Sequence, residues 1–221
     1  MISLRSILVF HALFALLAFG AVLLAPAAVY GWVLLAAVLG YHVASLAWAA
    51  GRGDREWLRL WFYLLPLSMA QVVPDWILSE WVGSLVFHDH GIPRIGAVPV
   101  YMAGMWSIPL FLTVALARQA RLPALRAVLA VVLALLLFAS SEWYAHPLAL
   151  WHAVGVEHSV WGVALYVLPP EAALGLAAWW GFETTRGRGI VPQLLVALAT
   201  SVLYTGMLIT SYFLIEYGAT L

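Results

Sequence analysis

Long uninterrupted apolar segments dominate the hydrophobic pattern of this chain. Residues 6–51 contain no Asp, Glu, Lys or Arg, which leaves room for two membrane spans of roughly 20 residues each, with Pro26 at the turn between them. Similar apolar runs follow in the rest of the chain, and they lack the alternation of apolar and polar positions that is typical of membrane β-barrel strands. The pattern therefore predicts a helical protein that crosses a membrane several times.

We predict an all-α fold of seven transmembrane helices in a single transmembrane domain, residues 1–221. The breaks between helices fall at prolines, glycines and charged residues, which mark turns. The predicted spans are 5–25, 27–50, 58–79, 98–118, 122–141, 160–183 and 190–215. The first span is too long for a signal peptide and is not followed by a cleavage site and a polar region, so we expect it to be retained.

Composition agrees with a membrane protein and excludes several classes of function. Hydrophobic residues make up 65% of the chain and charged residues 9%, whereas soluble domains have about 25% charged residues. The formal net charge is zero, which gives no indication of a nucleic-acid partner. The absence of cysteine excludes disulfides, iron–sulfur clusters and cysteine nucleophiles. The absence of lysine excludes a retinal Schiff base.

The arginines predict an orientation in the membrane. All of them except Arg94 fall in links on one side of the predicted helices, and the positive-inside rule makes that side cytoplasmic. The N-terminus is then cytoplasmic and the C-terminus lies outside. We expect an integral, multi-pass protein of a bacterial inner (plasma) membrane. The two long links, about 80–97 and 142–159, would both lie on the outer face.

Residues 142–171 concentrate the polar chemistry of the chain. They hold three of the ten acidic residues, together with three histidines and three tryptophans. In so apolar a chain, such residues either face water at the membrane surface or line a cavity.

A weak internal repeat relates residues 73–106 to residues 140–180. Each segment begins with an acid–Trp pair, crosses a histidine-bearing outer link and enters the next span through an aliphatic–Pro pair. The corresponding repeats would be 27–118 and 122–217. Sites in duplicated membrane proteins often lie between the two halves.

Glu171 is the most informative candidate acid. It falls roughly ten residues into the sixth predicted span, directly after Pro169-Pro170. An ionised carboxylate at that depth is costly, so we expect a side chain that is protonated, paired or facing a cavity; the plainer interpretation is a structural Glu bonded to a neighbouring helix. Asp75 and Glu142 are further candidate catalytic acids, although helix ends at the membrane surface also tolerate carboxylates.

Aromatic residues make up 14% of the chain, and interfacial belts account for many of them. A protonated acid beside aromatic faces suits carbocation chemistry, because the acid protonates an alkene and the rings stabilise the cation. Simple packing between helices is the alternative. The candidate substrate-binding residues are Trp76, Tyr101, Trp106, Trp143, Trp179 and Tyr204.

The outer histidines give an alternative site, for zinc or iron. They are His88, His90, His146, His152 and His158. None of the spacings that define the familiar membrane metalloenzymes is present, and histidines are ordinary at membrane interfaces. We therefore predict no metal and no cofactor, with the histidine site as the alternative.

The sequence WGVALYVLPPEAALGLAAWW, after the second outer link, resembles the small integral-membrane carotenoid (lycopene) cyclase domain family. That family has repeated spans, an acid and Trp at the end of one, and a Pro-x-Glu or Pro-Glu-Glu motif followed by aromatics in the next. Pro169-Pro170-Glu171 matches this motif, whereas the first repeat has Val98-Pro99-Val100-Tyr101 and no glutamate. The resemblance covers roughly residues 58–183. More loosely, the chain resembles the seven-span terpene cyclases of meroterpenoid pathways.

Both resemblances imply metal-free, proton-initiated cyclisation or isomerisation of an isoprenoid or polyene, with a lipophilic small molecule and membrane lipid as partners. Two alternatives remain open at this point. One is a metal-dependent membrane hydrolase or oxidase that uses the outer histidines. The other is a non-enzymatic protein that binds or transports a lipid or another small molecule.

Overall fold

The structure, a computed structural model, describes residues 2–218, and most of them are helical. The α-helices are α1 (Leu4–Leu24), α2 (Tyr30–Arg52), α3 (Arg55–Ala70), α4 (Val72–Trp76), α5 (Met102–Met105), α6 (Ser107–Ala117), α7 (Pro123–Ala145), α8 (Leu168–Thr185) and α9 (Ile190–Glu216). Short 3-10 turns precede α2 (Ala27–Val29) and α8 (Leu165–Val167), and a π-helical segment (Ile77–Val82) follows α4.

Four helical segments are long and apolar enough to cross a membrane, and they indicate a membrane protein. Within the described range these segments are α1, α2 with the turn before it (Ala27–Arg52), α7 and α9. The other three predicted spans form shorter or interrupted helices. The structure thus contains helices in all seven predicted segments, but it does not show seven continuous spans.

Prolines explain two of the interruptions. Pro74 has no N–H to donate to the carbonyl of Ala70, where α3 ends, and that carbonyl instead accepts a hydrogen bond from the Ser201 hydroxyl at 3.1 Å. In the same way Pro109 has no N–H for the carbonyl of Met105, where α5 ends. Both breaks occur in segments that hydropathy alone predicted as continuous.

The start of α8 differs from the prediction for another reason. Residues 159–164 form a hairpin and a 3-10 turn follows, so α8 begins at Leu168 rather than near residue 160. Pro169 and Pro170 occupy the first turn of α8, where a proline costs no helical hydrogen bond. They therefore start the helix instead of kinking it.

Short strands in the links add a small β component to the predicted all-α fold. The strands are β1 (Leu85–Phe87), β2 (Arg94–Ile95), β3 (Val98–Pro99), β4 (Trp151–Ala153), β5 (Ser159–Val160) and β6 (Val163–Ala164). β2 pairs with β3 and β5 with β6 as antiparallel hairpins. β1 pairs antiparallel with β4 and places Val86 opposite His152. This pairing joins the two long links, which we call the outer links after the side of the membrane on which they are predicted to lie.

The two predicted repeat segments share their order of elements. Each begins at the end of a helix, α4 or α7, continues through one strand of the β1–β4 pair and one hairpin, and ends in helix, α5–α6 or α8. An internal duplication would produce this order. The duplication and the repeat bounds 27–118 and 122–217 stay predictions.

An ion-pair network connects the helices at the end of the bundle opposite the β1–β4 pair. We call this end the basic end. Arg118, at the end of α6, donates to Glu183 of α8 at 2.5 Å and to Glu56 of α3 at 3.1 Å. Arg186 and Arg59 also approach Glu56, at 3.4 and 2.8 Å. The start of α3 and the ends of α6 and α8 therefore meet on one side, as the predicted alternation of helices requires.

Candidate active site

A cavity of about 270 Å³ lies inside the bundle, towards the end that carries the β1–β4 pair. Its wall includes residues from α1, α2, α7, α8 and α9, from the broken helices α4, α5 and α6, and from both paired strands. Most of these side chains are apolar. Three carboxyl groups also line the cavity, and they are the three predicted catalytic acids, Asp75, Glu142 and Glu171.

Glu171 lies in the first turn of α8, and this corrects the expectation that it falls ten residues into a span. The cause is the hairpin before α8, which moves the helix start to Leu168. Only 2% of Glu171 is exposed, and its Oε2 atom has no hydrogen-bond partner among residues 2–218. A buried carboxyl oxygen without a partner is costly, so among the three acids of the cavity this atom is the one most in need of a ligand or a proton.

Asp75 lies in α4 and is 4% exposed. Its Oδ2 atom accepts a hydrogen bond of 3.0 Å from the indole N–H of Trp106. Trp106 lies at the break between α5 and α6, so the proline that interrupts the helix also gives this indole its place in the cavity wall. The bond fixes the orientation of the Asp75 carboxyl group.

Glu142 lies in the last turn of α7 and is held in a similar way. Its Oε1 atom accepts a hydrogen bond of 2.9 Å from the indole N–H of Trp151 on β4. Trp151 itself is buried and lines the cavity. Two of the three acids are therefore oriented by a tryptophan that also forms part of the aromatic wall.

The described wall of the cavity supplies no positive charge to balance the acids of the cluster. Among the described residues that line the cavity there is no arginine or histidine, and the chain has no lysine. The three carboxyl groups line the same cavity. Three carboxylates together without a cation would be costly in an apolar cavity, so the cluster is suited to holding protons or to binding a cationic group.

Of the six predicted substrate-binding aromatics, two line the cavity. The Trp106 ring contacts Phe138 and Tyr204, with centroids 5.1 and 5.6 Å apart, and the contact with Tyr204 is edge-to-face. These three rings belong to different helices and form one aromatic surface beside Asp75.

The other four predicted aromatics are not brought to the cavity. Trp143 follows Glu142 on α7 but points away from it and is 52% exposed. Trp76 packs against Trp81 and the glycine turn of the β2–β3 hairpin. Tyr101 is fully buried outside the cavity wall, and Trp179, two helical turns after Glu171, is partly buried and packs against the core.

Sequence reasoning missed three aromatic residues of the site: Phe138, which contacts Trp106, and Trp151 and Tyr166. Trp151 was not among the predicted substrate-binding aromatics, yet its indole N–H donates to Glu142. Tyr166 also lines the cavity, and its hydroxyl lies 3.0 Å from that of Ser84. Each predicted repeat contains one Trp–acid hydrogen bond, Trp106–Asp75 in the first and Trp151–Glu142 in the second. The number of residues between the Trp and the acid differs greatly between the two pairs, so the comparison of the repeats did not reveal the second bond.

Four of the five outer histidines lie near one another at the β1–β4 pair: His88, His90, His146 and His152. The ring centroids of His88 and His146 lie 5.1 and 5.5 Å from that of His152. His158 lies apart, with its Nδ1 atom 3.5 Å from Glu216. In the part of the chain described, no three His, Asp or Glu side chains are arranged so that they could hold a metal ion. The structure thus does not support the alternative metal site.

Comparison with known proteins identifies a family but no relative of known activity. No curated protein and no solved structure matches the chain. A family model matches residues 72–215, which include both outer links and all three acids of the cavity. Because the match covers more than half of the chain, the protein belongs to that family, the Domain of unknown function (DUF6989) family.

Proposed function

We propose that the protein is a membrane-embedded, metal-free enzyme that cyclises or isomerises an isoprenoid or polyene by protonating an alkene. The observation that carries the proposal is the convergence of Asp75, Glu142 and Glu171 in one apolar, aromatic cavity without a basic partner among the described lining residues. The protein would be a multi-pass protein of the plasma membrane, where its lipophilic substrate is dissolved.

The proposed reaction begins at Glu171, whose Oε2 atom has no hydrogen-bond partner among the described residues. Its carboxyl O–H gives the proton to one carbon of a terminal C=C bond, and the electron pair of that bond forms the new C–H bond. The cation left on the other carbon is stabilised by the rings of Trp106, Phe138 and Tyr204.

A second C=C bond of the same molecule then supplies the electron pair for a C–C bond, which closes a ring and moves the cation. Loss of a proton from a neighbouring carbon to a carboxylate of the cluster gives a new C=C bond. Substrate and product are therefore isomers, and the cluster ends with the protons it began with. Asp75 and Glu142, held by Trp106 and Trp151, would take up or pass on this proton.

The size of the cavity limits what it can enclose. Small-molecule pockets commonly measure roughly 300–1,000 Å³, so a cavity of about 270 Å³ suits one end of a long polyene better than a whole carotenoid. We therefore expect the reacting end to lie inside and the remainder to extend towards the lipid.

The test is conversion in D₂O of acyclic isoprenoids by the protein in lipid nanodiscs, followed by mass spectrometry. We expect a product that is an isomer of the substrate and carries a single deuterium. Glu171→Gln should reduce the rate by about 100-fold or more, because it removes the proton donor. Glu80→Gln, an exposed acid outside the cavity, is the matched control and should be active.

Two results would count against the proposal. Full activity of Glu171→Gln would show that this carboxyl group is not the donor. Tight binding of isoprenoids with no turnover of any of them would favour a non-enzymatic binding protein instead.

A further inference from the structure

We propose that the cavity binds a lipophilic amine, a molecule with a protonated tertiary amine at one end and a hydrocarbon tail at the other. The ammonium group would lie against Glu171, Asp75 and Glu142. This inference deepens the proposed function and rests on it. The ammonium group would occupy the position of the carbocation that forms during cyclisation, so the amine would act as a transition-state analogue.

The acceptor positions of the three acids support a cationic headgroup. Glu171 is almost fully buried and presents an oxygen without a partner among residues 2–218. Asp75 and Glu142 each receive one indole N–H, on Oδ2 and Oε1. A carboxylate has about four lone-pair sites, so each of these groups keeps positions for a further donor.

Charge balance points to the same ligand. The described cavity wall contains three acids and no Arg or His, so the chain supplies no counter-ion there. The buried Arg118 is fully engaged at the basic end, with Glu56 and Glu183. A charged carboxylate inside the cavity thus needs a cation from outside, and an ammonium ion can pair with it by charge-assisted hydrogen bonds.

The aromatic wall discriminates between an ammonium group and an inorganic cation. Trp106 contacts Phe138 and Tyr204 on one side and binds Asp75 through its indole N–H. Trp151 and Tyr166 also line the cavity. Alkylated ammonium groups favour such aromatic faces because they combine a positive charge with apolar surface.

Helix α1 supplies the environment for the tail. Phe14, Ala18, Phe19 and Val22 line the cavity from this helix. Phe19 is also 44% exposed, and its ring contacts Tyr144 of α7, which is 45% exposed, at a centroid distance of 5.9 Å. One boundary between cavity and membrane therefore lies beside Phe19, and a tail that follows α1 reaches the lipid there.

The test compares N,N-dimethyldodecylamine with N,N-dimethyldodecanamide, a neutral molecule of similar shape. Binding is measured by titration calorimetry to protein in zwitterionic lipid nanodiscs, with partition into empty nanodiscs subtracted. We expect the amine to bind about tenfold or more tightly than the amide, a difference of about 1.4 kcal/mol.

Variants assign the site of binding. Glu171→Gln and, separately, Glu142→Gln should each reduce amine affinity about tenfold and leave amide binding unchanged, whereas Glu80→Gln should have no effect on either. Circular dichroism shows which variants fold, and two cavity variants are used so that the loss of one does not remove the test. Equal affinity for amine and amide, or amine binding that is unchanged in both cavity variants, would overturn the inference.

The outcome separates this inference from the proposed function. Turnover of an isoprenoid with deuterium incorporation, but no preference for the amine, would refute amine binding and leave the cyclase proposal standing. Preferential amine binding that depends on Glu171, without turnover of any isoprenoid, would support the ligand class and refute the cyclase proposal.

Discussion

The three carboxyl groups of the cavity differ in what surrounds them. Asp75 and Glu142 are each held by an indole N–H, whereas Glu171 has an oxygen without a partner in the described residues. A hydrogen bond to a carboxyl oxygen fixes the group and stabilises its anion. The two held acids are thus suited to accept or pass on a proton, and Glu171 is suited to contact a ligand.

Arg118 is the side chain on which the basic end depends most. It is 3% exposed, its guanidinium group lies 4.9 Å from the centre of the Phe182 ring, and it pairs with Glu56 and Glu183. The guanidinium therefore joins three helices through two charge-assisted hydrogen bonds, one to each of two carboxylates.

We expect Arg118→Gln to lower the free energy of unfolding by about 3 kcal/mol, because the partly buried Glu183 loses its counter-ion, whereas Glu56 keeps Arg59 and Arg186. Thermal unfolding in detergent measures the effect. Arg121→Gln, a change of the same type at an exposed position, is the matched control and should be nearly neutral. Equal stability of the two variants would contradict the prediction.

Helices α7 and α8, which carry Glu142 and Glu171, approach each other at Gly175. A side-chain carbon at Gly175 would meet the Ala134 side chain and would lie 2.7 Å from the carbonyl oxygen of Ala130. A backbone oxygen cannot move aside as the end of a flexible side chain can. The absence of a side chain at Gly175 thus sets the spacing of these two helices.

Gly175→Ala should force α7 and α8 apart and destabilise the protein by about 1–3 kcal/mol. Gly206→Ala, on α9, is the control, because nothing lies within 4 Å of the added carbon and alanine favours a helix by up to about 1 kcal/mol. Thermal unfolding of both variants checks the prediction. A Gly175→Ala protein as stable as Gly206→Ala would show that the helix spacing adapts at no cost.

The two halves of the molecule meet over the cavity through the β1–β4 pair. Phe87 of β1 and Trp151 of β4 face each other in the register and both line the cavity. His152, on the same strand, lies beside the imidazoles of His88 and His146. Burial lowers the pKa of His152 below its ordinary value, and the neighbouring imidazoles lower it further.

This arrangement predicts that acid weakens the joint between the two outer links. Because the pKa of His152 is lower in the folded protein than in the unfolded chain, where it is about 6.5, the unfolded chain binds the proton more readily. The contribution of His152 is thus complete above about pH 6.5 and decreases as the pH falls towards the lower, folded-state value.

Two backbone hydrogen bonds connect the outer links beside the β1–β4 pair: the His88 N–H donates to the Leu150 carbonyl, and the Val154 N–H donates to the Ser84 carbonyl. Hydrogen exchange of these two amides measures how firmly the links are held together. Their protection should decrease below about pH 6.5, and His152→Gln should reduce this dependence. An identical pH dependence in the variant would show that other groups control the links.

The pattern of the sequence was sufficient for the membrane class, for helices in seven segments and for the three acids as candidates, because these depend on local composition and on the cost of charge in an apolar environment. It was not sufficient for the helix ends at Ala70, Met105 and Leu168, where hydropathy continues but proline or a hairpin interrupts the hydrogen bonding.

Only the tertiary structure decided which aromatic residues meet the acids. Hydrophobicity differs little between the faces of α7, α8 and α9, so the sequence does not reveal how these helices are rotated about their axes. Packing places Trp106 and Trp151 on carboxyl oxygens and turns Trp143 outwards, although Trp143 directly follows Glu142 in the sequence. The acids were thus recognisable as single residues, whereas their meeting in one cavity depends on contacts between segments far apart in the chain.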